Sequence, residues 1–141
     1  MIRGLARHLS IVSGLSGAFA AAIPALLLWP RLGRSLGLDP LLRYYLVEMM
    51  AIGALVLGVV LVRASTAAPV AWTTAGAATA FAVMSGVTVG SLFAPACALL
   101  ALSGLLADIS QGRVPLRRLA AAGAAAALQT GVMVALAAWS A

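Results

Sequence analysis

Residues 70–107 read VAWTTAGAATAFAVMSGVTVGSLFAPACALLALSGLLA without one charge, and Arg63 and Asp108 are the nearest charged residues on either side. A straight helix of that length would run roughly 55 Å at 1.5 Å per residue. A bilayer hydrocarbon core is only about 30 Å thick. One helix overshoots and two barely fit, so the stretch must break. Gly90–Ser91, with Pro95 just beyond, is the best turn the sequence offers. A hairpin there divides the stretch into spans over 70–89 and 92–107. The second is short, about 25 Å by helical rise, and calls for local bilayer thinning or burial inside a bundle. Counted once, the same stretch gives four spans and a broken or re-entrant segment.

Composition sets the class. Hydrophobic residues make up 64% of the chain and charged residues 9%, with a mean hydropathy of +1.12. Soluble domains carry about 25% charged residues, so these few could not cover a water-soluble core. The apolar runs are continuous and not alternating, which excludes a β-barrel. The fold expected is all-α: one domain over 1–141, a polytopic integral membrane bundle of five helices spanning 9–29, 40–62, 70–89, 92–107 and 119–139. All 9 basic residues are arginine. Together with the abundant Ala and Gly, this points to a GC-rich bacterial genome and the bacterial inner membrane. The net charge of +6 is no nucleic-acid footprint, because the arginines flank apolar spans and no soluble face gathers them into a stripe.

Small residues recur at one-turn spacing, the pattern that lets helix backbones approach closely in lipid. Span 9–29 carries Ser10, Gly14, Ala18 and Ala22 beside Ser13, Gly17, Ala21 and Ala25, with Pro24 expected to kink it and Trp29 at the interface. Asp39–Pro40 reads as an N-cap and first helical position, followed by Tyr44 and Tyr45 at the interface. Ala78, Ala82, Gly86 and Gly90 make a ridge in the middle stretch, and Gly123, Ala127, Gly131 and Ala135 another in the last span. Residues 120–127 are almost all Ala and Gly, too weakly apolar to favour lipid exposure, so this span is expected inside the bundle. Helix packing is thus assigned to Gly14, Ala18, Gly86, Gly123, Ala127 and Gly131. Gly112 looks like a C-cap, with Pro115 a stop.

Charge does not choose the topology. Five spans with a cytoplasmic N-terminus put Arg3, Arg7, Arg63, Arg113, Arg117 and Arg118 inside and Arg31, Arg34 and Arg43 outside. Four spans with the N-terminus outside put Arg31, Arg34, Arg43, Arg113, Arg117 and Arg118 inside, again six against three. Length favours five, since four would leave more than a dozen apolar residues without a span.

Little here carries chemistry. There is 1 His, His8, and 1 Cys, Cys97. A haem held by two histidines of this chain, a Cys/His metal site and an internal disulfide are all unsupported. No Ser/His/Asp set and no phosphate-binding glycine loop is present, so neither a catalytic residue nor a cofactor is expected. Glu48, less than one turn past Tyr45, is the sharpest candidate. It is expected to pair with Arg31, Arg34 or Arg43 at the same membrane edge, with transport the competing role. Gln129 and Thr130, in mid-span, are expected to bond across helices, with pore lining the competing role. Asp108 reads as a solvated or Arg113-paired helix end, and Met49 and Met50 as core packing. The function expected is a small non-catalytic membrane protein that packs as a homo-oligomer or as an accessory subunit of a larger membrane complex. The alternative is a small transporter or channel using Glu48 with Gln129 and Thr130. Its partners would be the lipid bilayer and other membrane subunits or itself, not nucleic acid.

Overall fold

Proline opens one helix and glycine closes another where their backbone preferences allow. In a computed structural model, Pro40 is the first residue of α2 and Gly112, with φ of 65°, ends α4 in the left-handed conformation. The structure describes residues 2–32, 40–62, 67–113 and 116–140. These form five helices: α1 (Ile2–Leu32), α2 (Pro40–Val62), α3 (Ala67–Met84), α4 (Gly86–Gln111) and α5 (Leu116–Ser140). The chain is an all-helical bundle, and α1, α2, α4 and α5 hold four segments long and apolar enough to cross a membrane. α1 stays helical through Pro24 and Pro30.

The middle stretch breaks at Ser85 and Gly86, not at Gly90–Ser91. The reversal needs one residue with positive φ, and Gly86 supplies it at 77°. Gly90 serves a different end. A Cβ there would collide with the carbonyl of Ala82, so the missing side chain is what lets α4 lie against α3. The expected lengths are therefore reversed: α3 is the shorter helix at 18 residues and α4 the longer at 26. Gly86 is a turn residue, exposed and with nothing within 4 Å of its would-be Cβ, and so not part of a packing ridge.

Successive helices alternate in direction. Ser10 meets Ser103, Gly17 meets Leu100, Gly53 meets Ala18, and Phe81 meets Phe93, each an antiparallel register. α5 then runs parallel to α3, with Gly76 against Ala122. α1 wedges between α2 and α4. A Cβ on Gly14 would lie 2.9 Å from Ser103 Oγ, one on Gly17 3.0 Å from Leu100, and one on Gly53 2.8 Å from the Ala18 carbonyl. Lipid gives helices no hydrophobic reason to associate, so this proximity and the dispersion contacts it allows do the joining. The core between them is filled by Leu46, Met49, Val56, Phe81, Phe93 and Leu100, all nearly sealed. Tyr45, Phe81 and Phe93 form a row with ring centroids 5.9 and 5.1 Å apart, tying α2, α3 and α4 at one end.

α5 departs from expectation. It packs on α3 through the face that carries Ala122, Ala126 and the buried Met133. Gly123, Ala127 and Gly131 lie on the opposite face, exposed, with nothing within 4 Å of either glycine. The expectation that this ridge and the Ala-rich segment 120–127 lie inside the bundle is corrected. Two faces of α5 offer small residues at one-turn spacing, and the buried one also carries Gln129, whose amide finds a bonding partner there.

Candidate functional site

Polar side chains cluster at two levels of the bundle, and each cluster ties α5 to the other helices. At the level of the α1 N-terminus, the carboxylate of Asp108 on α4 is fully buried. Trp72 on α3 donates its indole N–H to Asp108 Oδ2 over 3.0 Å. Arg118, in the first turn of α5, brings Nη1 within 3.1 Å of Oδ1. That second contact is close but lies outside hydrogen-bond geometry, so charge and not a directed bond supplies it. Gly104 makes room for the indole, since a Cβ there would lie 2.9 Å from the Trp72 ring. One turn deeper, Ser10 and Ser103 each donate a hydroxyl to the other's backbone carbonyl at 2.9 Å, clasping α1 to α4.

Asp108 is thus neither solvated nor paired with Arg113, whose backbone N–H instead donates to the Asp108 carbonyl at 3.0 Å. One signal for the buried ion pair was present in the sequence. Asp108 sits one turn before the C-cap Gly112, where the helix dipole disfavours an anion. An acid held there needs a cation from elsewhere. That Arg118 and Trp72 supply the contacts is a property of the bundle alone.

At the second level, Gln129 on α5 donates its amide to Glu48 Oε2 on α2 over 2.7 Å. The structure brings together two residues singled out separately by the sequence. Both are half-buried. Their contact crosses the seam where α2 and α3 touch only lightly. Thr130, beside Gln129, returns its hydroxyl to the Ala126 carbonyl at 2.9 Å and does not bond across helices. Arg34 and the side chains of Arg31 and Arg43 lie outside the described residues, and so does any pairing with Glu48. Met49 is buried in the core next to Glu48.

The two clusters differ in what they can do. Asp108, Arg118 and Trp72 are spent on one another and closed to a ligand. Glu48 presents a carboxylate against a neutral amide, so its charge is not cancelled by Gln129. Among the described residues, no three His, Cys, Asp or Glu side chains gather as metal ligands. Compared with protein-family models, curated proteins and solved structures, the chain matches none of them.

Proposed function

We propose that this protein is a small, non-catalytic component of a bacterial inner membrane that assembles through α5, with copies of itself or as an accessory subunit of a larger membrane complex. One observation carries the reading: the outward face of α5 holds Gly123, Ala127 and Gly131 without a neighbour. Of the four helices apolar and long enough to span, α5 is the least apolar and the least buried within the chain. A face of Gly and Ala gains little from lipid but accepts another helix at close range. Leu at Ala127 and Gly131 together would fill that approach and leave the contact with α3 untouched. The double variant is expected to fold with wild-type thermal stability in detergent and to run as a smaller species in native-membrane extracts. Wild-type protein that is monomeric in such extracts, with no copurifying subunit, would sink the proposal.

A second reading is favoured by the Glu48–Gln129 contact, in which the chain is a small transporter and the carboxylate takes part in ion or proton movement. Glu48→Gln keeps an oxygen to accept from Gln129 but cannot ionise. The assembly reading expects unchanged association and a cost near 1 kcal/mol, the worth of exchanging a charged for a neutral hydrogen bond. Loss of a liposome flux in a well-folded Glu48→Gln protein would favour the transporter instead.

A further inference from the structure

The chain contains only three acids, Asp39, Glu48 and Asp108, and they are unevenly placed. Asp39 precedes α2 and Glu48 lies in its first half, toward the end of the bundle where α1 finishes. The opposite end gathers the start of α1, the finishes of α2 and α4 and the start of α5. Among the described residues its arginines are Arg3, Arg7, Arg113, Arg117 and Arg118, and its one acid is Asp108. Asp108 is sealed and engaged with Arg118. Arg3, Arg7, Arg113 and Arg117 are exposed, and none forms an ion pair with a described residue.

The fold draws part of this charge together. Arg3 on α1 crosses the end of α4, and its Nη2 lies 3.4 Å from where a Cβ of Gly112 would stand. Arg113 follows Gly112 directly and is pinned by its backbone N–H to the Asp108 carbonyl. Arg117 neighbours Arg118; the latter turns toward Asp108 and the former stays outside. The result is a basic rim around the helix ends, and Asp108, already engaged with Arg118, is the one acid at that end among the described residues.

We propose that this rim binds the phosphate headgroups of anionic phospholipids, with Arg3, Arg113 and Arg117 as the binding groups. Guanidinium groups match phosphate oxygens in charge and in paired hydrogen-bond geometry. Basic clusters at the ends of spanning helices meet phosphates at that depth. An acidic protein would have to reach the same arginines at the level of the headgroups, in competition with lipid. The rim is independent of the outer face of α5, so the assembly reading and this one can fail separately.

The test uses purified full-length protein in a non-ionic detergent, which removes any effect of arginine content on membrane orientation. Retention of phosphatidylglycerol and of phosphatidylcholine is read by native mass spectrometry. Wild type is expected to retain phosphatidylglycerol over phosphatidylcholine by about tenfold, with the preference falling at high ionic strength. The R3Q/R113Q/R117Q variant should lose that preference, while R31Q/R34Q at the other end keeps it. The single variants Arg3→Gln and Arg117→Gln, each expected to lower that preference about twofold, an equal share of the whole, serve if the triple variant does not fold. Equal retention of the two lipids, or preference unchanged in these variants, would overturn the proposal. So would displacement of the bound lipid by millimolar inorganic phosphate or by a polyglutamate peptide, which would identify a free anion or an acidic protein as the occupant.

Discussion

Asp108 has no exposure to solvent, and both of its oxygens face partners from other helices. Removing one member of a buried ion pair costs about 3–5 kcal/mol, because the remaining charge stays desolvated. Arg118 keeps 17% of its side chain exposed and can swing outward, which places the cost toward the lower figure. Asp108→Asn keeps an oxygen for the Trp72 indole and loses only the charge. Asp108→Ala loses both and opens a void. Thermal unfolding in detergent should therefore rank wild type above Asn and Asn above Ala. An Ala variant as stable as wild type would show that the ion pair contributes nothing to holding α5. Spacing along the chain gives no hint of this pair's partners, because Trp72 and Arg118 reach Asp108 from different helices.

Among the helices, α5 is held by one face and two polar ties, so its attachment should be sensitive where its backbone comes closest to α3. A Cβ at Gly76 would run into the backbone of Ala122, which cannot move as a side-chain end could. Gly76→Ala should force the two helices apart and cost about 1–3 kcal/mol. It should also expose Met133 and weaken the Glu48–Gln129 bond. Gly123→Ala meets open space and should instead leave stability level or raise it by up to about 1 kcal/mol through helix propensity. Cysteine accessibility at Met133→Cys, compared between the two backgrounds, reads the displacement directly. If Gly76→Ala leaves accessibility and melting unchanged, α5 does not rest on α3 in the membrane as it does in this structure. The four-residue spacing of small residues is legible from sequence. Which of two such ridges is buried was settled by Gln129 and Met133, whose contacts need a neighbour.

For the molecule as a whole, alternation of five helices places the start of α1 and the finish of α5 at opposite ends of the bundle. α3 runs beside α4 and parallel to α5, and at 18 residues it rises about 27 Å, close to the hydrocarbon thickness. Five crossings with the arginine-rich end in the cytoplasm predict a cytoplasmic N-terminus and a periplasmic C-terminus. Paired reporters fused after Ala141 check this: the periplasmic reporter should be active and the cytoplasmic one silent. The reverse pattern would mean that α3 does not cross or that the bundle is inverted.

Hydrophobic run length and the scarcity of charge determined the class of this protein from sequence, because backbone groups in lipid are satisfied within a segment only as helix. The start of α2 at Pro40 and the cap at Gly112 were equally readable, since they depend on local backbone preference, while Asp39, expected as the N-cap, lies outside the described residues. The position of the middle turn was not. Gly86 and Gly90 both permit a reversal, and the choice rests on Gly90 being needed for close approach to Ala82. The pairings of Glu48 with Gln129 and of Asp108 with Arg118 lay further out of reach. Each joins residues on different helices, brought together only by the packing of the bundle. Polar groups in an apolar bundle bond to whatever the packing brings within about 3 Å. Sequence alone names the groups that need partners, and the tertiary structure decides which ones they find.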